Sequence, residues 1–296
     1  MFEALINTMA PVFIIIAIGF AWQRTGFEFP QQFITRLVMN IGAPCLIVST
    51  LSKTRIPLDV FTDVALATIF VMVVCGLIAL PFALRSKVDP LAIVAPVAVP
   101  NTGNMGLSVC LFAFGEAGLS LAIAFFLTSS LVNMSIGIPL FSRRGGGISS
   151  SLKSLAGEPL LYASIFGVLI LVFDWRLPTW AANTTGLIGD ITIPLMLLTL
   201  GVSLCNLSNT GWLTSVAYSL LRFGGGLVCS LLAVELLGIT GLSRNIVILQ
   251  SMMPAAVFNY LLAAHYHRSP EITAGIVITS TALAFILLPI VLAIML

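Results

Sequence analysis

The sequence predicts an all-α integral membrane protein. Its ten transmembrane helices form two five-helix halves of opposite orientation, with the fourth and ninth helices broken and crossing. Three observations predict this. Of 296 residues, 59% are hydrophobic and 8% charged, and mean hydropathy is +1.12, whereas soluble domains run near ~25% charged. Eleven acids and thirteen bases cannot clothe a water-facing surface of this size, which excludes a soluble enzyme, a secreted disulfide scaffold and a disordered chain. The apolar runs are long and lack period-two alternation, so helices are expected rather than a barrel. Finally, an ordered set of prolines recurs in the two halves of the chain.

A membrane-spanning helix needs ~20 mostly apolar residues. Ten segments qualify: 3–23, 31–52, 57–84, 90–115, 117–141, 157–174, 183–205, 211–237, 243–267 and 270–295. The first carries Glu3 and no basic flank, which predicts a retained span rather than a cleaved signal. Between the halves 1–141 and 157–296 lies the one sizeable hydrophilic segment, 142–156, SRRGGGISSSLKSLA, read as a cytoplasmic linker. With the amino terminus outside, Arg24, Arg36, Arg85, Lys87, Arg143, Arg144, Lys153 and Arg268 fall on the inner side. Lys53, Arg55, Arg176 and Arg244 fall on the outer side. That excess predicts a multi-pass protein of the plasma (inner) membrane with both termini outside.

The halves match in order. Pro11 corresponds to Pro159, Gly19 to Gly167 and Pro30 to Pro178, all at an offset of 148. Pro44 pairs with Pro194, each with a polar residue four positions earlier, Asn40 and Asp190. Pro100 in the fourth span pairs with Pro254 in the ninth. Five spans is an odd number, so the second half enters the membrane inverted, a plan found in many secondary transporters.

Candidate chemistry gathers at the two interruptions. Pro100-Asn101-Thr102-Gly103-Asn104 joins a helix breaker to a flexible glycine and two amides, and Gln250, Ser251, Pro254 and Asn259 repeat the device in the ninth span. Proline removes a donor and clashes with the preceding turn, so the carbonyls before it lose their helical partners. In hydrocarbon such carbonyls are tolerated only where they meet protein or line a wet cavity. Two further intramembrane charges stand out. Asp190 reads as a proton or cation site, or as a cap near the outer boundary; Arg222 reads as a grip on a carboxylate, or as a side chain snorkelling to the inner interface. Gly224-Gly225-Gly226 is expected to serve close helix packing. The five cysteines share no CxxC spacing, and His265 and His267 do not share a helix face, so no metal site and no cofactor are expected. A net charge of +2 without a basic run gives no reason to expect nucleic acid as a partner.

The stretches PNTGNMGL and FGEAGLSLAIAFF, with IPLMLLTLGVSL, LRF and QSMMPAAVFNYLLAAHYHRSPEITAGIVITST, resemble the auxin efflux carrier family. The short central loop is similar to that of bacterial members. The resemblance covers nearly the whole chain. It implies a scaffold part from about 1–55 and 157–206 and a moving transport part from about 56–141 and 211–296. It also implies an elevator-type cycle, a homodimer through the scaffold, and substrate contact through Asn101 and, five residues beyond Pro254, through Asn259. The charged residues that plant carriers hold in the early third span have no match here, which moves the expected substrate from auxin toward malonate- and malate-like carboxylates.

The expectation is therefore a secondary active transporter of small organic anions, with possible proton or sodium coupling and a lipid bilayer as its medium. A second reading is a sodium-coupled carrier of the bile-acid symporter type, although no Asp or Glu sits beside either crossing proline. A third is a passive channel. An intramembrane enzyme is not expected, because Asp190 has no carboxylate partner and neither histidine lies at depth.

Overall fold

The computed structural model describes residues 2–54, 56–141, 157, 159–173, 175–207 and 211–295. The 142–156 linker, with Arg143, Arg144 and Lys153, lies outside the described residues, as does Arg55. Among the described residues the regular structure is helical, with one isolated antiparallel bridge between Pro100 and Ala255. In chain order, α1 is Phe2–Arg24; α2, Gln31–Leu37, runs through a π turn at Val38–Gly42 into α3, Ala43–Lys53; α4 is Leu58–Arg85 and α5 is Leu91–Ala98. A π turn at Thr102–Leu107 opens α6, Ser108–Val132, and a second at Asn133–Gly137 leads to α7, Ile138–Phe141. Then follow α8, Pro159–Phe173; α9, Thr179–Asp190; α10, Thr192–Asn206; and α11, Trp212–Leu236. Last come α12, Gly241–Ser251; α13, Val257–His265; and α14, Pro270–Met295.

Among the described residues, seven stretches are long and apolar enough to cross a membrane. The sixth predicted span forms a helix of only 15 residues, α8, and the fourth and ninth are interrupted. The stretch Thr102–Phe141 has 40 residues, about twice what a bilayer core of ~30 Å requires at 1.5 Å per residue. It does not run straight. Gly115 adopts φ 65, ψ −159, and beyond it the chain doubles back until Ser129 Oγ lies 3.1 Å from Thr102 Oγ1. The seventh span starts at Thr179 rather than 183, because Pro178 at φ −54, ψ 146 sets the helix start.

Prolines explain the irregularities. The ring of Pro44 collides with the Asn40 carbonyl and offers it no N–H, and the chain relieves this in the π turn Val38–Gly42. Pro194 does the same to the Asp190 carbonyl, and there α9 gives way to α10 at Ile191. The paired prolines thus disturb their helices at the same point.

Two groups of helices pack together. In the first, α1 lies along α10 while α3 lies on α8 and α9; in the second, α11 contacts α4, α12 and α14, and α4 contacts α5 and α6. The α1–α10 contact is a backbone contact. A Cβ at Gly19 would strike the Leu198 carbonyl, and one at Gly201 would strike that of Ile16. Small residues are what allow such approach where no hydrophobic force drives helices together. Trp22, Trp180 and Trp212 are exposed at helix ends, with Trp175 exposed between α8 and α9, the placement that suits amphipathic rings at a membrane interface.

Candidate functional site

Both proline interruptions run extended and meet side by side. After α5 the chain passes through Val99 at φ −104, ψ 103 and Asn101 at φ −80, ψ 62. After α12 it runs from Met252 to Ala256, at φ −67, ψ 136. The Asn101 N–H donates to the Pro254 carbonyl at 2.7 Å, and the Ala256 N–H donates to that of Val99 at 3.3 Å. Asn259 Nδ2 adds a second bond to the Val99 carbonyl at 3.1 Å, and the Ala255 N–H donates to Ser280 Oγ at 3.1 Å. The Asn101 carbonyl accepts from the Gly106 N–H, five residues on, which opens the π turn.

Arg222 completes the set. It is fully buried, and it donates from Nη1 to the Val97 carbonyl at 2.7 Å, from Nε to that of Met253 at 3.2 Å and from Nη2 to that of Ser251. The breaks free these carbonyls, and the protein satisfies them internally, as a site without bulk water requires. Gly226 makes room: a Cβ there would strike the Ser251 carbonyl. Of the glycine run, Gly226 alone is required for close packing of α11 against the second break; a Cβ at Gly224 would meet nothing within 4 Å. Buried and bonded to the carbonyls of both broken helices, Arg222 does not reach the interface, and no carboxylate among the described residues pairs with it.

Beside the first break lies a cavity of about 170 Å³. Pro100, Asn101, Thr102, Gly103 and Asn104 line it. Asn101 is 4% exposed, and its side-chain nitrogen has no hydrogen-bond partner among the described residues. Thr102 is tied to Ser129, and Gly103 faces the ring of Phe126, 2.9 Å from where a Cβ would stand. The ninth-span residues behave otherwise. Ser251, Pro254 and Asn259 are buried but do not line the cavity; Ala256, Val257, Phe258 and Leu261 do. Asn259 sits on the face of α13 turned toward Val99, whose carbonyl draws its amide away from the cavity. Ser251 and Asn259, expected at the site, thus lie behind the cavity wall rather than on it.

Sequence reasoning missed much of the wall. Gln31 and Thr35, Ser129 and Asn133, and Thr199 and Ser203 all line the cavity. Each pair is spaced i, i+4, which puts both members on one helix face, and that spacing on an apolar span was the available signal. Gln31 Nε2 donates to Ser203 Oγ at 2.7 Å, tying α2 to α10 at the cavity edge.

Asp190 lies elsewhere. It is exposed at the end of α9 and lines a separate cavity of about 190 Å³ with Lys53, Glu116, Thr50 and Pro194. No residue lines both cavities. Its place is therefore away from the two proline breaks.

Long apolar helices, two proline-broken segments joined back to back and a largely apolar cavity edged by amides and hydroxyls against them fit a multi-pass membrane transporter. The family model described as membrane transport protein matches residues 4–154 and 148–292, and the chain belongs to that family. The likeness to the auxin efflux carriers holds at this family level. An uncharacterized transporter of Methanothermobacter thermautotrophicus is 28% identical over 297 residues, covering 96% of both chains. An uncharacterized transporter of Methanocaldococcus jannaschii is 26% identical over 296 residues, covering 94% of both.

Proposed function

We propose that this protein is a secondary active transporter that moves small organic anions of the malonate or malate kind by alternating access of the elevator type. In this reading the chain makes ten passes as a five-plus-five inverted repeat. The first helix group is the scaffold, through which two copies pair, and the second is the transport part. Both termini lie outside the plasma membrane, and the cavity opens toward the cytoplasm, because Gln31, Asn133 and Ser203 then fall at inner helix ends.

One observation carries the reading: the buried, unpartnered side-chain nitrogen of Asn101 beside a cavity walled by both helix groups. A buried donor left unpaired costs ~1–3 kcal/mol, and a bound carboxylate relieves that. Thr102 and Ser129 supply hydroxyls next to it. Pockets for drug-sized ligands measure ~300–1,000 Å³, so a cavity of about 170 Å³ suits an acid of a few carbons. Substrate bound to Asn101 and Thr102 sits on the transport part, and sliding that part past α2 and α10 would carry the site to the other face.

The test is uptake of labelled malonate into proteoliposomes. Asn101→Ala is expected to reduce uptake to background while the purified protein elutes as wild type. Undiminished uptake by that variant removes Asn101 from the site.

A further inference from the structure

We propose that Arg222 is a built-in cation of the crossing, cancelling the negative ends of both broken helices so that their positive ends alone act on the cavity and select an anion. This rests on the transport reading for its substrate, but not for the role of the guanidinium. The carboxyl ends of α5 and α12 terminate at the crossing, at Ala98 and Ser251. Each helix carboxyl end carries about −0.5 of an elementary charge, and each amino end about +0.5. In broken-helix carriers, freed carbonyls and such carboxyl ends are where coupling cations bind. Here the carbonyls of Val97, Ser251 and Met253 already accept the three donors of one permanently charged side chain. Two half-charges against one full charge leave the carboxyl ends neutralised.

The cavity lies toward the other ends; from the carboxyl end of α5 only Val99 lines it, and the Val99 carbonyl already accepts the Ala256 N–H and Asn259 Nδ2. Its lining takes in Thr102, Gly103 and Asn104, the first turn of the helix that follows the first break, and Val257 and Phe258, the first turn of α13. No residue of α12 and no part of Arg222 reaches it. The crossing as such offers both signs equally; the guanidinium breaks that balance. No carboxylate among the described residues pairs with Arg222, and the ionisable side chains facing it are the thiols of Cys75 and Cys229. The positive charge is therefore balanced by helix ends and, when the carrier is loaded, by the substrate. Arg222 is a positioning residue, since it touches backbone and not cargo.

The experiment has two arms. In the first, detergent-purified Arg222→Ala is heated in millimolar guanidinium chloride or in choline chloride of equal ionic strength. Guanidinium, and not choline, is expected to restore most of the lost unfolding temperature in a saturable way, while wild type does not respond. A variant as stable as wild type, or one that no cation restores, overturns the bracing role. In the second, malonate uptake is compared for Arg222→Lys and Arg222→Gln. The lysine variant is expected to stay within about threefold of wild-type KM, and the glutamine variant to rise about tenfold in KM with a smaller change in maximal rate. Equal KM values for the two, or a loss of rate alone, overturn the charge role. If wild type takes up neither malonate nor malate, the transport reading fails, and the guanidinium arm still decides Arg222.

Discussion

The two proline breaks look alike in sequence and do different work. Around Pro100, the polar residues Asn101, Thr102 and Asn104 face the cavity. Around Pro254, the polar residues Gln250, Ser251 and Asn259 are buried away from it, and the cavity meets Ala256, Val257 and Phe258 instead. Both amide atoms of Gln250 and the hydroxyl of Ser251 lack partners among the described residues, and the Gln250 side chain fills the space that a side chain at Gly106 would need. The first break lines the cavity with polar side chains, and the second keeps its polar side chains behind the wall. The Val99 carbonyl takes the Nδ2 of Asn259, whose Oδ1 has no partner among the described residues, whereas the side-chain nitrogen of Asn101 finds no acceptor among them.

The largest expected effect is that of Asn101→Ala, which should reduce uptake to background without loss of folded protein. Asn259→Ala should do the converse, lowering the unfolding temperature by several degrees, the consequence of ~1–3 kcal/mol lost with a buried hydrogen bond, while malonate KM stays near wild type. Normal stability with a sharply raised KM would place Asn259 in the cavity and dissolve the distinction between the breaks. A smaller effect is expected from Thr102→Ala and Ser129→Ala, each raising KM about threefold. Because the two hydroxyls share one bond, the double variant should cost less than the product of the single effects. Smallest is Asp190→Asn, with uptake within about twofold of wild type, because Asp190 lies in the other cavity and its field is screened by water. A large loss there would make that cavity part of the transport path.

Much of this could be read in the residues. The prolines announced where the helices fail, since a missing N–H and a ring clash act locally and need no partner to be known. Pro44 and Pro194, paired in the sequence, both disturb their helices, and Asn101 through Asn104 line a cavity. What was hidden is rotation. A helix apolar all round carries no polar face to mark its inner side, so neither the turn of Asn259 toward Val99 nor the wall built by Gln31, Thr199 and Ser203 was evident. Arg222 was the hardest, since its partners are carbonyls as far as 125 residues away in sequence.

By itself, then, the sequence determined that this chain lives in a membrane and where its helices break, because hydropathy and proline geometry are properties of neighbouring residues. Only the tertiary structure decided which polar groups face the cavity and which are spent on the backbone. That choice depends on the nearest unpaired carbonyl, and the nearest carbonyl belongs to another helix.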